Sequence, residues 1–309
     1  MADEQTIFRL EGVAKGFGSG VARVDPLQGV DFTVRRGETL VLIGPSGTGK
    51  SVTLRLMLGL LAPDAGHVFF EGGDIAGFND QQLDAMRGRL SMLFQSGALF
   101  DSMTVGENVG FPLRARGERD DARIDLLVER SLAAVGLAGT ADKMPSELSG
   151  GMRKRAALAR AIAPEPEMIF YDEPTTGLDP VMSDAIADLI NAMRQLLSGR
   201  FAITSVVVTH DMNVACKTAD RILMLYGGKL VGEGPPEYFR RLGETPRDRI
   251  DNEREELIRQ FVRGEAEGPI GRDLARPAVP SAAPRTPPPN AGQPEKICGK
   301  KLVPADRNR

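Results

Sequence analysis

The chain has 309 residues, of which 41% are hydrophobic, and a formal net charge of -3. This length and apolar content suffice for one large domain or two modest ones, and the charge gives no reason to expect nucleic acid as a partner. The first residues resemble no signal peptide, no run approaches a membrane-spanning length, and the two cysteines are far apart, so we expect a cytoplasmic protein that is neither secreted nor inserted.

Strand-like apolar runs alternate with amphipathic helices from about residue 6 to 265, which is typical of an α/β domain with a largely parallel sheet. Buried strands are expected at 39–43, 168–171, 203–208 and 222–225. The first three end in polar or glycine-rich turns. Ligands of α/β sheets bind where strands end, so these turns are the expected place for a functional site.

The turn after the first of these strands matches the G-x-x-x-x-G-K-[ST] pattern of a phosphate-binding loop. It reads Gly44-Pro45-Ser46-Gly47-Thr48-Gly49-Lys50-Ser51. The glycines let backbone N–H groups turn toward phosphate oxygens, and the following helix adds the positive end of its dipole. We expect Lys50 to reach the β- and γ-phosphates and the Ser51 hydroxyl to bind Mg²⁺. The pattern alone fits kinases, GTPases and motor ATPases equally.

Three further segments have a predicted structure. The stripe of Leu54, Leu58 and Leu61 indicates a helix behind the phosphate loop that ends at Pro63. Helix-compatible sequence at about 80–160 predicts a helical insertion into the α/β core. The segment 266–309 is rich in proline and lacks aromatic residues, which predicts a disordered tail.

An acidic pair, Asp172-Glu173, follows the strand at 168–171. An aspartate at that strand end can hold Mg²⁺, and the adjacent glutamate can polarise an attacking water. The alternative is a pair of helix-capping carboxylates, because Pro174 follows them.

The segment Leu148-Ser149-Gly150-Gly151-Met152 precedes a helix expected from Arg153 to about Ala163. A serine and two glycines at a helix N-terminus form a second anion-binding site, which a simple phosphate-loop protein does not need. A capping turn without further function is the alternative. Here the chain resembles the ABC ATPase family, whose signature usually reads LSGGQ; Met152 departs from it.

The resemblance implies an α/β P-loop fold with a RecA-like core, an antiparallel β subdomain and the helical insertion, all within 6–265. It also implies a homodimer in which Ser149, Gly150 and Gly151 contact the γ-phosphate of the ATP bound by the partner subunit. ATP and Mg²⁺ are the implied cofactors.

Other residues take roles only through this resemblance. Gln95 is similar to the glutamine that touches Mg²⁺, beside Ser51 and Asp172, and Asp179 to the aspartate of the D-loop. His210 resembles the histidine that contacts the γ-phosphate and joins Glu173 and Lys50 as a catalytic residue. The implied nucleotide-binding set comprises Phe17, stacked on adenine, the loop 44–51 and Val52. Core packing is the alternative for Phe17.

Three runs, at 91–100, 144–152 and 155–162, look like the ATPase of bacterial Mla or Mce-type lipid transporters. This implies a peripheral protein at the cytoplasmic face of the inner membrane that powers phospholipid transport between the inner and outer membranes. The implied partners are integral-membrane permease subunits, a ring of Mce-domain proteins and, in some relatives, a small STAS-domain protein.

Three alternatives stay open at this point. One is a soluble ABC ATPase of the iron-sulfur assembly type, and another is an ABC ATPase for a different substrate. The third is a P-loop kinase, which would have no use for the site at Ser149.

Overall fold

Two β-sheets organise the chain in the computed structural model, which describes residues 5–95, 97–196, 203–250 and 252–270. The strands are β1 (Thr6–Phe17), β2 (Val24–Arg35), β3 (Thr39–Ile43), β4 (Ala65–Phe70), β5 (Gly73–Asp74), β6 (Leu90–Leu93), β7 (Met168–Asp172), β8 (Thr204–Val208), β9 (Arg221–Tyr226) and β10 (Lys229–Gly234). The helices are α1 (Lys50–Met57), α2 (Asp80–Gly88), α3 (Val105–Ala115), α4 (Asp121–Ala134), α5 (Gly150–Ile162), α6 (Pro180–Leu196), α7 (Met212–Thr218), α8 (Pro236–Glu244) and α9 (Glu253–Arg263).

The larger sheet has the strand order β10-β9-β3-β8-β7-β6. Its last five strands are mutually parallel, and β10 runs antiparallel to β9 at one edge. The smaller sheet, β2-β1-β4-β5, is antiparallel throughout. This arrangement confirms the expected α/β fold with an additional antiparallel sheet. It also brings the carboxyl ends of β3, β7 and β8 to one edge, where parallel sheets bind ligands.

Strand β3 contributes to two hydrophobic clusters, one on each face of the larger sheet. Val41 and Ile43 join a cluster with residues of α3, α4, α5 and α6. Leu40 and Leu42 join the other, which holds α1 and the inner face of the antiparallel sheet. Successive side chains of a strand point to opposite faces, so alternate residues serve the two clusters. Because both faces of the sheet are covered, all five residues of β3 are buried, and four of them are apolar.

Two helix boundaries differ from the sequence-based expectation. Helix α1 ends at Met57, well before Pro63, because Gly59 takes a left-handed conformation with φ of 64°. Helix α5 begins at Gly150 rather than Arg153, because the Ser149 side chain already caps it. Gly59 and Ser149 set these helix boundaries through local backbone geometry, which the spacing of apolar residues does not predict.

The chain after α9 folds back on that helix. Gln260, which is buried, donates its side-chain N–H to the carbonyl of Glu265 and accepts the N–H of Ile270. Ile270 packs against the cluster that contains α5 and α6. From residue 271 onward, the tail predicted over 266–309 lies outside the described residues. In the part that is described, no helix combines the length and apolar character that crossing a membrane requires.

Asn108, fully buried in α3, fixes the loop before that helix. Its Oδ1 accepts the Phe100 N–H at 2.7 Å, and its Nδ2 donates to the carbonyls of Phe100, Met103 and Thr104. The Phe100 N–H and the Met103 carbonyl thus gain a side-chain partner, while the carbonyls of Phe100 and Thr104 also accept backbone N–H groups, from Met103 and Asn108.

We expect Asn108→Ala to lower the free energy of unfolding by about 3 kcal/mol, because it leaves buried polar groups without partners. Urea unfolding of the full chain measures this. Leu126→Ala, which removes a 68% exposed side chain from α4, is the control and should change stability by under about 0.5 kcal/mol. Equal midpoints for the two variants would contradict the role assigned to Asn108.

Candidate functional site

The phosphate loop connects β3 to α1, as the sequence predicts, and close backbone contacts require two of its glycines. A Cβ on Gly44 would lie 2.2 Å from the Leu225 carbonyl oxygen, and one on Gly49 would lie 2.4 Å from that of Pro26. Both residues also have positive φ, at 146° and 94°. Only glycine fits these positions without shifting the backbone. The loop is further closed by the Thr48 hydroxyl, which donates to the Pro45 carbonyl at 2.9 Å.

Lys50 begins α1, and its side chain turns back into the loop. Its Nζ donates to the carbonyls of Gly44 at 2.8 Å and Pro45 at 3.0 Å, and the residue is buried. Burial lowers the pKa of the ammonium group, and the negative charges of Glu173 and Asp172 oppose this shift. The carbonyls of the phosphate loop therefore hold the Lys50 ammonium group in position.

Ser51 and Asp172 come from α1 and the end of β7 and meet directly. The Ser51 hydroxyl donates to Asp172 Oδ1 at 2.8 Å. Burial raises the pKa of the Asp172 carboxyl, and the hydrogen bond from Ser51 opposes this shift. A hydroxyl and a carboxylate are hard oxygen ligands of the kind that Mg²⁺ prefers.

These two oxygens fit Mg²⁺ that is bound together with a nucleotide. Across the described ranges, no group of three or more His, Cys, Asp or Glu residues is placed to hold a metal ion. Magnesium is usually held by one or two protein ligands with phosphate oxygens and water completing its shell. The donor set at Ser51 and Asp172 matches that pattern and not an all-protein metal site.

Glu173 and His210 form a pair at the ends of β7 and β8. The distance from His210 Nδ1 to Glu173 Oε2 is 2.7 Å, and the Thr176 hydroxyl donates to the same oxygen at 3.2 Å. Glu173 has a φ of 50°, which is unfavourable for a side-chain-bearing residue, and its N–H is held by the Val208 carbonyl at 2.9 Å. Such strain persists where the surrounding structure imposes it, which is common at functional sites.

A cavity of about 380 Å³ brings most of the predicted residues together. It is lined by Pro26, Ser46, Gly47, Gly49, Lys50, Ser51, Val52, Gln95, Glu173, Thr176 and His210. Asp172 reaches this cavity through Ser51, while Gly44, Pro45 and Thr48 shape the loop behind it. Loop, acidic pair, glutamine and histidine thus share one site, although more than 160 residues separate its first and last members.

Sequence reasoning did not identify Pro26 or Thr176. Thr176 lies three residues after Glu173, in the turn that orients the glutamate, so its spacing offered a weak signal. Pro26 lies in β2, and no local pattern marks it, because its contact with the phosphate loop arises only when the antiparallel sheet packs.

Residues 149–151 and Asp179 form a separate, neighbouring group. The exposed Ser149 caps α5 by accepting the Met152 N–H at 3.3 Å, and Asp179 accepts the Met182 N–H at the start of α6 at 2.9 Å. Met182 also packs over Gly151, since a Cβ there would lie 2.2 Å from Met182 Cε. None of the signature residues lines the cavity of the same chain. Both capping interpretations hold, and neither conflicts with a second role.

Phe17 ends β1 and stays apart from the cavity lining. Its side chain is 43% exposed, and the Lys15 ammonium lies 5.7 Å from its ring centroid. Adenine stacking on this ring stays a prediction. An exposed aromatic face of this kind is suited to a planar ligand.

Comparisons with known proteins agree with this geometry. The family model for ABC transporters matches residues 27–176. The intermembrane phospholipid transport system ATP-binding protein MlaF of Escherichia coli K12 is 42% identical over 241 residues, which cover 78% of this chain and 84% of that protein. This chain belongs to the ABC transporter family. As a member it is an ATPase coupled to transport, and not a kinase.

Two further proteins are similar to this chain. The probable ribonucleotide transport ATP-binding protein mkl of Mycobacterium tuberculosis H37Rv is 40% identical over 262 residues, covering 85% of this chain and 68% of that protein. The dimeric ATP-binding cassette MJ0796, solved with ADP and Pi, has a TM-score of 0.67 at 31% identity. That alignment covers 74% of this chain and 99% of the cassette.

We expect Gly49→Ala to weaken ATP binding at least about tenfold, because its Cβ would push the loop from Pro26 and misplace the phosphate-facing N–H groups. Titration of the full chain with a fluorescent ATP analogue measures this. Gly117→Ala is a matched control, since Gly117 has the same φ of 94° but open space around its Cβ position. Equal losses in both variants would mean that backbone strain, and not the loop contact, is responsible.

Proposed function

We propose that this chain powers phospholipid transport between two membranes by hydrolysing ATP at the interface of a homodimer. The observation that most strongly supports this proposal is the pairing of Glu173 with His210 in a cavity that Lys50 and Ser51 also line. A carboxylate and an imidazole at a phosphate site can position and polarise a water, which phosphate binding alone does not require.

In this mechanism, the phosphate loop and Lys50 bind the β- and γ-phosphates of ATP. Ser51, Asp172 and Gln95 would hold Mg²⁺, which neutralises charge on the phosphates when bound. Glu173 accepts a proton from the attacking water, and His210 and Thr176 keep its carboxylate oriented. His210 also contacts the γ-phosphate, and adenine stacks on Phe17.

The separate position of the signature group supports a dimer. Ser149 and Gly150 are exposed at the N-terminus of α5, away from the cavity of their own chain. An N-terminus of this kind binds anions, so we assign it to the γ-phosphate of ATP held by a second copy, with Asp179 at the same contact. ATP that bridges two chains favours the closed dimer, because it binds that state more tightly. The MJ0796 cassette, which is a dimer with ADP and Pi bound, is consistent with this arrangement.

An aromatic surface supports membrane partners. Phe100 and Phe111 lie with ring centroids 4.9 Å apart, and both are more than 40% exposed. Phe94, next to Gln95, is exposed to the same degree. Exposed aromatic clusters mark interaction sites on soluble domains. We assign this surface to integral-membrane permease subunits and propose that the chain is peripheral at the cytoplasmic face of the inner membrane.

The choice of lipid as substrate rests on relatives and motifs. MlaF, the phospholipid transport protein, aligns with this chain at 42% identity, and the runs at 91–100, 144–152 and 155–162 resemble that group. An Mce-domain ring and a small STAS-domain protein complete the proposed assembly. The relative named for ribonucleotide transport makes a different cargo the second candidate.

Glu173→Gln should retain ATP binding, lower the hydrolysis rate by roughly 10²- to 10⁴-fold and trap the ATP-bound dimer. Phosphate release and sedimentation with ATP measure these effects. Glu165→Gln is the matched control, because Glu165 also has a positive φ of 51° and a basic partner, Arg130, but lies outside the cavity. Hydrolysis by Glu173→Gln at the wild-type rate would sink the assignment of the base.

In its native cells, a tagged chain should pellet with membranes together with a polytopic subunit, and the purified complex should contain phospholipid. The Phe100→Ala/Phe111→Ala variant should pellet several-fold less, since the docking surface loses its aromatic core. Leu60→Ala, another exposed apolar side chain, is the control. Recovery of the wild-type chain in the supernatant would favour the soluble alternative, and bound ribonucleotide without lipid would favour the other cargo.

A further inference from the structure

The aromatic residue at the end of β1 is connected to the phosphate loop through the neighbouring strand. Phe17 pairs with Val24 of β2. Pro26, two residues after Val24, lines the cavity, and a Cβ on Gly49 of the phosphate loop would lie 2.4 Å from its carbonyl oxygen. A strand rises about 3.3 Å per residue, so Val24 and Pro26 are roughly 7 Å apart. Two paired strands therefore hold the Phe17 ring close to the cavity.

The Lys15 side chain lies against the same ring. Residues two apart in a strand point to the same face of a sheet, and the Lys15 ammonium lies over the Phe17 ring, 5.7 Å from its centroid. The Lys15 side chain is only 16% exposed, whereas Phe17 is 43% exposed. A cation over an aromatic ring is attracted by the negative charge of its π face. The ammonium group thus covers part of the ring, and the exposed part is accessible to a planar ligand.

Asp64, in the loop between α1 and β4, holds both Lys15 and the backbone around it. Its Oδ1 accepts the Lys15 Nζ at 2.7 Å, and its Oδ2 accepts the Gly16 N–H at 2.8 Å. Its own N–H donates to the Ala14 carbonyl at 2.8 Å. The hydrogen bond from Lys15 and that from Gly16 lower the pKa of the Asp64 carboxyl, which favours its ionised form. One aspartate therefore binds three consecutive residues of β1.

A second ion pair packs on the same backbone segment. The Arg23 Nε donates to Asp25 Oδ1 at 2.8 Å. A Cβ on Gly16 would lie 2.3 Å from that same oxygen and 2.7 Å from Arg23 Nη2, so the pair contacts the backbone directly before Phe17. The backbone that carries the ring is fixed by side chains from two other segments, although the ring itself is exposed.

We propose that Lys15 and Asp64 are positioning residues for the base of the nucleotide. Asp64 fixes the Lys15 ammonium, and Lys15 fixes the Phe17 ring in the orientation in which it stacks on adenine. A ring that is already oriented loses less side-chain entropy when the base binds, so binding is tighter. This inference rests on the proposed function, because it presupposes that adenine stacks on Phe17.

Stabilisation of the hairpin formed by β1 and β2 is the competing explanation, and a ligand without a base separates the two. Tripolyphosphate carries three phosphates, as ATP does, but has no base to stack. A residue that positions Phe17 changes the affinity for ATP and leaves that for tripolyphosphate unchanged. A residue that only stabilises the hairpin, and through it the phosphate loop, changes both affinities or neither.

Calorimetric titration of the full chain with a non-hydrolysable ATP analogue and with tripolyphosphate, both with Mg²⁺, measures this difference. Lys15→Met and Asp64→Asn should each weaken binding of the ATP analogue about two- to fivefold, the size expected for a cation–π contact at an exposed site. Binding of tripolyphosphate should stay at the wild-type level. Lys15→Arg, which keeps a cation, should retain most of the wild-type affinity for the analogue.

The same strand offers a matched control for each variant. Arg9→Met removes a cation that lies over the Phe69 ring, 4.2 Å from its centroid. Asp31→Asn neutralises a carboxylate that accepts the Gly12 N–H of β1 at 2.7 Å, as Asp64 accepts that of Gly16. Neither control residue contacts the segment at 14–17 through these bonds, so both variants should bind both ligands as the wild type does.

Wild-type affinity for the ATP analogue in Lys15→Met or Asp64→Asn would overturn the role of the replaced residue, and equal losses for both ligands would favour hairpin stabilisation instead. Lys15→Met should add nothing to the loss in Phe17→Ala, and additive losses would overturn a role through the ring. Full affinity in Phe17→Ala would overturn adenine stacking and this inference with it. A wild type that binds neither ligand would overturn the proposed function itself. If Lys15→Met does not fold, Asp64→Asn tests the same expectation.

Discussion

Burial of β3 on both faces is the constraint from which the site follows. Its alternate side chains belong to separate hydrophobic clusters, so the strand can neither slide nor rotate without exposing one of them. The phosphate loop leaves the end of this strand, and its glycines fit against the carbonyls of Pro26 and Leu225. The phosphate loop is therefore attached to a strand that is buried on both faces.

The site contains buried ionisable groups whose charged forms the protein alone does not fully stabilise. Burial shifts the pKa of Lys50 downward and that of Asp172 upward, so each group is disfavoured in its charged form. In the proposed function, a nucleoside triphosphate with a divalent cation would supply opposite charges to both. The protein alone pairs Ser51 with Asp172 and Glu173 with His210, an arrangement that keeps the side chains oriented before ligand arrives.

Much of this site was predictable because its parts are local in sequence. The phosphate loop, the acidic pair and the signature are each continuous in sequence, and the strand ends that carry the first two were visible as apolar runs. The end of α1 and the beginning of α5 were placed wrongly, because Gly59 and Ser149 act through single backbone conformations. Pro26, Thr176 and the Lys154 bond to Gln95 join segments through tertiary packing or turn geometry, which periodicity does not encode. The separation of Ser149 from the cavity was implied by family resemblance alone.

The division of the core by one shared sheet also affects how the protein unfolds. Because β3 holds side chains in both clusters, partial opening on either face loosens the same strand and, with it, the phosphate loop. Nucleotide that binds the folded state therefore raises the free energy of opening both clusters, and not only that of the loop it contacts. The stabilities of the two hydrophobic clusters are therefore coupled through the strand that ends at the cavity.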